Sequence, residues 1–325
     1  MSRSVLRRMA WLLPLAIMML GARPLQAEGN PHKVKHIIIL MQENHSFDNY
    51  FGALAYAPGS PYHSPRKDGD RDSDDRGGCR SDDHQCVDGL TCRVDASGHF
   101  TCLNSNVDAD GSTVFAFHDS RRCVAPDLAH GWADTHAEAN FLNPNNSLGQ
   151  PLSDGFVRVN DVSEQHDNGV ENPTEDQTMN FYNQDELPFY YDLAQKFAIS
   201  DRYFCSVLGP TFPNRSYLLA ATSFGHLTTN DSFPPPGGYK PITGTIFDLL
   251  DQNGISWADY FQDAAKREFS AHRSHNQPLT VFLAEAGGVG SLPQVSFVDP
   301  NFGLAGRTLE NDEHPPTDIQ RGQFY

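Results

Sequence analysis

The fold is decided by residues 34–52, which read VKHIIILMQENHSFDNYFG. An apolar run from Ile37 to Met41 stands between polar residues, a pattern typical of a strand buried on both faces of a parallel sheet. Four polar residues, 42–45, follow where such a strand passes into a loop. Ligands of open α/β sheets bind just beyond the carboxyl ends of the strands. The sequence therefore predicts a strand whose C-terminal end carries a functional site.

Glu43 and Asn44 are the candidate metal ligands at this end of the strand. A carboxylate and a carboxamide supply the hard oxygen atoms that divalent cations prefer. The alternative is structural, with both side chains capping the helical turn expected around residues 46–50.

A second informative stretch is residues 209–215, which read GPTFPNR. Gly209 and Pro210 end an expected strand, and Asn214 is a good N-cap for a helix that continues through Ala221. Thr211 then lies in a strand-to-helix turn, beside free backbone N–H groups that favour an anion. A hydroxyl there could attack phosphorus once a metal lowers its pKa. The alternative is an ordinary turn in which Thr211 bonds to nearby backbone.

Helical and strand patterns alternate in the second half of the chain. The expected helices are residues 185–197, with an acidic first turn that includes proline, and a helix from Thr243 or Thr245 through Leu250. The expected strands are residues 198–208, 255–261 and 295–298. This alternation predicts an α/β fold, a mostly parallel central sheet with helices on both faces.

Residues 1–27 have the pattern of a signal peptide: a basic start, an apolar core and a small-residue cleavage site. The rest, 28–325, is expected to form one domain that is secreted or periplasmic, exported by the twin-arginine or the ordinary route. No later segment is apolar enough to be transmembrane. Cleavage would remove four arginines and no acid, so the net charge would fall from −17 to −21. Such a charge argues against a nucleic-acid partner.

The cysteines indicate a disulfide-bearing, loop-rich insertion over residues 56–127. The disulfide candidates within it are Cys79, Cys86, Cys92, Cys102 and Cys123. Their spacing lacks the paired CxxC knuckles of a zinc site and does not decide the pairing. Cys205 lies in an apolar stretch that suits a small core residue. The acidic run at 66–75 lacks the EF-hand spacing and is interpreted as solvated charge.

Several motifs together resemble the bacterial phosphoesterase family. This family contains phospholipases C and a group of acid phosphatases, and it belongs to the alkaline-phosphatase-like superfamily. The motifs are HIIILMQENHSFDNYFG from His36, DLAHGW from Asp127, GPTFPNR from Gly209 and NDEHPP from Asn311. The resemblance extends over nearly all of the chain after the signal peptide, from Val34 to Tyr325.

The resemblance implies an alkaline-phosphatase-like fold and metal-dependent hydrolysis of phosphate esters. Thr211 would be the nucleophile that forms a phosphothreonine intermediate, and Glu43, Asn44 and Thr211 would surround a divalent metal ion of unknown identity. His314 and His130 would contact the phosphoryl group, with His314 able to protonate the leaving oxygen. The substrate would be a phosphate ester such as a phospholipid. Threonine at position 211 favours the phospholipase C branch, because the acid phosphatases have serine at this position.

The sequence departs from the family pattern at its end. In the family a further strand brings paired acids that complete the metal site, and nothing after Gly322 supplies them. We therefore expect that the sequence is truncated at its C-terminus and that the sheet is incomplete. This exact polypeptide should then have little activity. A genuinely short inactive form and a two-part assembly are the alternatives. The rival function is a secreted binding protein that keeps the fold without catalysis.

Overall fold

The computed structural model describes residues 33–65, 78–123, 127–146, 152–161, 175–229, 242, 244–263, 274–303 and 310–325. The chain divides into a unit of residues 1–37 and a second unit of residues 38–325, and the account below concerns the second. The predicted signal peptide and the acidic run at 66–75 lie outside the described residues.

The central sheet has four strands in the order β1-β10-β8-β9. These strands are β1 (Ile37–Leu40), β8 (Trp257–Phe261), β9 (Asn276–Pro278) and β10 (Val295–Val298). β10 pairs in parallel with β8, with Val295 opposite Trp257, and β8 pairs in parallel with β9. All four residues of β10 are buried, as is expected for a strand covered on both faces.

Helices pack on both faces of this sheet. On one face, Leu219 and Phe247 of two helices pack against Trp257 and Phe297. On the other face, the side chains of Tyr260 and Val298 form a cluster with residues of a different helix and with Tyr325. The helices are α1 (Phe47–Phe51), α2 (Trp132–Ala139), α3 (Pro188–Lys196), α4 (Thr211–Ala220), α5 (Ile246–Gln252), α6 (Leu279–Ala286) and α7 (Gln320–Phe324). The predicted α/β class with a parallel sheet is confirmed.

Local signals position two of the helices. Thr245 is the N-cap of α5, where its hydroxyl accepts from the Asp248 N–H while the Asp248 carboxylate accepts from the Thr245 N–H. Pro188 opens α3, a position where its missing N–H costs nothing. The helix at Thr245 is confirmed. The helix predicted over 185–197 is confirmed with a later start: it begins at Pro188, so the prediction of an acidic first turn is wrong, and its buried residues are Tyr191 and Ala194, while Phe189 is exposed.

Short strand pairs lie mostly between α1 and α2. They are β2 (Cys92–Val94) with β3 (Phe100–Cys102), β4 (Ser105–Val107) with β5 (Thr113–Phe115), and β6 (Phe117–His118) with β7 (Asn180–Phe181), which follows α2. Residues 156–161 are also helical, and short 3₁₀ turns lie at Leu54–Tyr56 and Glu175–Met179. Along the described part of the chain, no helix combines the length and apolar character that crossing a bilayer would need.

Two disulfides join cysteines of this region, Cys79 to Cys86 and Cys92 to Cys102. The second links residues that face each other across the β2–β3 pair. The prediction for Cys123 is wrong, because its thiol is free and exposed. The core placement of Cys205 is wrong too, because Cys205 is also free and exposed.

Two strand predictions need correction. Residues 198–208 form no strand; Asp201 and Arg202 make a turn that bonds to Asp88, and Tyr203 and Phe204 are 81% and 78% exposed. The apolar composition was misleading because no neighbouring strand pairs with this segment. The strand after residue 36 does form, but its burial on both faces is wrong. It lies at an edge of the sheet, and Ile38 and Leu40 are about half exposed.

Candidate active site

Thr211 is the first residue of α4, directly after the turn formed by Gly209 and Pro210. The backbone N–H groups of a first helical turn have no partner within the helix, so this end of α4 favours an anion. Pro210 is the N-cap, and the prediction that Asn214 caps the helix is therefore wrong. Asn214 instead reaches back and donates to the carbonyl oxygens of Gly209 (2.9 Å) and Val207 (3.1 Å). Its side chain thereby fixes the turn that presents Thr211.

Arg215, one turn further along α4, ties the helix to the ends of two strands. Its guanidinium is 3% exposed and donates to Asp299 Oδ1 at 2.8 Å, just beyond β10. The same group lies 3.4 Å from Glu43 Oε1 and 3.3 Å from the carbonyl oxygen of Met41, just beyond β1. Glu43 is therefore held beside the helix that begins at Thr211. The contact ties Glu43 to α4, and the expectation that Glu43 and Thr211 share one rim of the sheet stays a prediction.

The loop after β1 is hydrogen-bonded to the loop at 311–313 by the side chains of residues 42, 44 and 45. Gln42 Nε2 donates to the carbonyl oxygen of Asn311 (2.6 Å), and Asn44 Nδ2 donates to that of Asp312 (2.8 Å). His45 Nε2 lies 2.9 Å from the carbonyl oxygen of Glu313. We call this set of contacts the loop clasp.

The loop clasp orients the carboxamide of Asn44. Because its nitrogen is held by Asp312, its oxygen is the atom left for a cation. Asn44 has a left-handed backbone conformation (φ 76°), which asparagine tolerates better than most residues. The local strain and the fixed amide both favour the interpretation of Asn44 as a ligand.

His130 and His314, distant in sequence, lie together, with their ring centroids 5.9 Å apart. Asp127 stands between them, with carboxylate oxygens 3.5 Å from His314 Nε2 and 3.8 Å from His130 Nδ1. The ligand atoms of all three lie within 4.8 Å of one another. Such a group can hold a metal ion or, with protonated imidazoles, an anionic oxygen. Asp127 was not predicted as a site residue, although it stands three residues before His130.

Both ring nitrogens of His314 face hydrogen-bond acceptors. Nδ1 lies 2.9 Å from the carbonyl oxygen of Pro315, while Nε2 faces the Asp127 carboxylate. A ring nitrogen that carries a hydrogen can donate to the acceptor it faces, so these two contacts fix the orientation of the ring beside Asp127.

A buried pair supports the segment that carries His130. Asn160 Oδ1 accepts from the Ala129 N–H (2.7 Å), and Asn160 Nδ2 donates to Glu138 Oε1 (3.2 Å). Burial raises the pKa of Glu138 to about 7. This acid, on α2, is thus protonated over much of the acidic to neutral range.

The predicted metal ligands are chemically suited to a hard divalent cation. The Glu43 carboxylate, the Asn44 amide and the Thr211 hydroxyl all offer oxygen atoms of the type that such ions prefer, and their role as ligands stays a prediction. Asp312, which sequence reasoning passed over, is buried nearby. Burial raises the pKa of its carboxyl to about 6, and the Glu43 charge adds to the effect. A bound cation would relieve the repulsion between these two acids.

Comparison with known proteins identifies relatives along nearly the whole chain. The model of the phosphoesterase family matches residues 34–325, the same stretch that the sequence motifs indicated. Non-specific phospholipase C4 of Arabidopsis thaliana is 28% identical over 303 residues, which cover 90% of this chain and 49% of the relative. Non-specific phospholipase C1 of the same plant is 27% identical, with 91% and 49% covered. Phospholipase C B of Mycobacterium tuberculosis is 28% identical, with 93% and 55% covered. The chain spans about half the length of these relatives.

Proposed function

Because the chain belongs to the phosphoesterase family, we propose that it takes part in hydrolysis of phosphate esters, with Thr211 as the nucleophile. One observation carries the proposal: the helix that begins at Thr211 is tied through Arg215 to Glu43. This contact supports a site at one rim of the sheet that contains the Thr211 hydroxyl, the N-terminal end of α4 and the Glu43 carboxylate.

The substrate we favour is a phospholipid. The relatives in a plant and a bacterium are named phospholipases C, which supports a lipid phosphodiester. A phosphomonoester, the acid phosphatase type of substrate, is the alternative. In either case the attacked atom is phosphorus, and an alcohol is the first group to leave.

In the proposed first step, the Thr211 hydroxyl gives its proton to bulk water and its oxygen forms a bond to phosphorus, while the bond to the leaving oxygen breaks. The proton returns from water when the Thr211 oxygen is released in the second step. The N–H groups at the start of α4, together with His130 and His314, hold the phosphoryl oxygens. His314 gives its proton to the leaving oxygen, and Asp127 orients the ring. A divalent cation held by Glu43, Asn44 and Thr211 would supply the charge that lowers the pKa of the hydroxyl.

In the second step, water attacks the phosphothreonine. Neutral His314 accepts a proton from that water, and the Thr211 oxygen leaves phosphorus and regains a proton. Free phosphate or a phosphorylated alcohol departs, and the protein returns to its starting state.

We further propose that the protein is exported. The leader pattern at residues 1–27 and the two disulfides support a secreted or periplasmic location.

The proposal is tested by replacing Thr211 in the purified protein, extended at its C-terminus if residues 28–325 alone turn over too slowly to measure, and by measuring hydrolysis of an aryl phosphate and of phosphatidylcholine. Thr211→Ala should reduce kcat by about 10³-fold or more, whereas Thr211→Ser should retain turnover. Acid-quenched samples should contain a phosphorylated peptide that includes residue 211. Thr101→Ala, at an exposed position of β3, is the matched control. Full activity of Thr211→Ala would refute the mechanism, and phosphate binding without turnover in the unaltered protein would favour the binding-protein alternative.

A further inference from the structure

Glu313 is an acid held in an unusual place and conformation. Its residue is 1% exposed, and its backbone is left-handed, with φ 63°. A residue other than glycine or asparagine rarely adopts this backbone conformation unless its surroundings impose it. Such outliers are found at sites where the geometry of the chain serves a function.

The Glu313 side chain is anchored inside the protein. The Tyr190 hydroxyl of α3 donates to Glu313 Oε1 at 2.7 Å, and the side chains of Tyr50 and Gln42 lie beside the same carboxyl. Gly322 of α7 packs directly against this side chain, and a Cβ at that position would overlap the Glu313 carboxyl. Three helices therefore surround one carboxyl group.

The backbone of the same residue takes part in the loop clasp. Its carbonyl oxygen faces His45 Nε2, and the preceding carbonyl accepts from Asn44. The next residue, His314, directs its ring toward Asp127 instead. The left-handed turn at Glu313 thus sends one side chain into the core and the following one into the candidate site.

We propose that Glu313 is a positioning residue that sets the placement of His314 and the contact to His45 through its buried side chain. The role in hydrolysis rests on the proposed function, in which His314 contacts the phosphoryl group. The Glu313 carboxyl accepts the hydrogen bond from Tyr190, and it fills the space left beside Gly322 by the absence of a side chain there. Both tasks depend on size and hydrogen bonding, and neither needs contact with substrate.

Histidine ring NMR signals of the full chain test the placement without any need for turnover. Glu313→Gln keeps the size and an acceptor, so the His45 and His314 signals should stay as they are. Glu313→Met loses the acceptor, and Glu313→Gly allows the left-handed turn but loses the anchor, so both should shift these signals. His275, which stacks on Trp257 in the sheet, is the internal reference and should not move.

Kinetics give the second readout. We expect kcat on an aryl phosphate to fall by roughly 10- to 100-fold in Glu313→Met, with KM nearly unchanged. Glu313→Gln should retain most of the kcat of the unaltered protein. If Glu313→Met does not fold, Tyr190→Phe decides, because it removes only the hydroxyl that holds the carboxyl. Unchanged His314 signals in Glu313→Gly or in Tyr190→Phe would overturn the proposal. A fully active Thr211→Ala would refute the proposed function and leave this result standing.

Discussion

At the scale of single residues, Arg215 joins the ends of β1 and β10 to α4. A buried cation between two acids stabilises little compared with an apolar core, but removing it leaves the acids without compensation. Arg215→Met should therefore lower the free energy of unfolding by about 3–5 kcal/mol. Arg215→Lys should lower the free energy of unfolding by less than Arg215→Met, because lysine keeps the positive charge. It should still lower it, because lysine lacks the second N–H arm of the guanidinium. Urea denaturation measures both.

The matched control is Arg80→Met, because Arg80 pairs with Asp82 on the exposed surface. Such pairs contribute little, and no measurable change is expected. Equal losses for the buried and the exposed arginine would contradict the role given to Arg215.

Glu138 should make stability depend on pH. In the folded protein, burial raises its pKa to about 7, whereas the ordinary value is 4.5. Between these values the folded state keeps a proton that the unfolded chain has lost, so this contribution is present below pH 4.5 and declines as the pH rises through 7. The loss between pH 5 and pH 8 should be on the order of 2 kcal/mol.

Glu138→Gln removes this titration while keeping a group of the same size for Asn160. The melting temperature, measured from pH 5 to pH 8, should therefore fall less steeply in the variant than in the unaltered protein. Parallel curves for the two proteins would show that Glu138 does not titrate in this range.

The individual site residues were predictable to the extent that they belong to motifs. Glu43, Asn44, Thr211, His130 and His314 stand in four such motifs, and their catalytic or metal-binding roles stay predictions. Asp127 and Asp312 were within quoted motifs but received no role. Their significance depends on which side chains approach them from distant parts of the chain, and periodicity carries no such information.

At the scale of elements, α7 packs on Glu313 through Gly322. Alanine is ordinarily better than glycine in a helix by up to about 1 kcal/mol. Here a methyl group would overlap the buried carboxyl, so Gly322→Ala should instead destabilise the protein by about 1–3 kcal/mol. Gly78→Ala is the control, because its Cβ would meet only the end of a flexible arginine. A more stable Gly322→Ala protein would show that α7 does not pack this closely.

The disulfide across β2 and β3 should stabilise the hairpin region. It closes a loop with a sequence separation of 10 residues, for which loop entropy predicts about 3 kcal/mol. The double variant Cys92→Ala/Cys102→Ala should lose that amount, measured by urea denaturation, and Cys123→Ser should lose little. Alkylation of the folded protein without reductant should modify Cys123 and Cys205 alone, and modification of Cys92 would contradict the pairing.

Helices were predicted better than strands because their signals are local. The capping box at Thr245 and the proline at 188 depend on neighbours within one turn. Strands depend on partners elsewhere: residues 198–208 have strand-like composition and no pairing strand, and β1 forms but lies at an edge. The cysteine pairing was likewise left open, since spacing alone cannot specify which thiols meet.

At the scale of the whole molecule, β1, which is an edge strand among the strands that the structure describes, should promote self-association. The unpaired backbone groups of an apolar edge strand are a template for pairing with another chain, and natural edges are often protected by lysine. Ile38→Lys should therefore reduce concentration-dependent association in sedimentation velocity experiments. Leu283→Lys, on the exposed side of α6, is the matched control and should change little. Association that is equal in both variants would exclude β1 as the contact.

The loop clasp also bears on the order in which the site can assemble during synthesis. Gln42 and Asn44 find their partners 269 and 268 residues further along the chain. A ribosome makes residues 42–45 well before residues 311–313, and the closure of such long-range contacts is slow. The opening motif therefore acquires these hydrogen bonds only after the whole intervening segment has been translated.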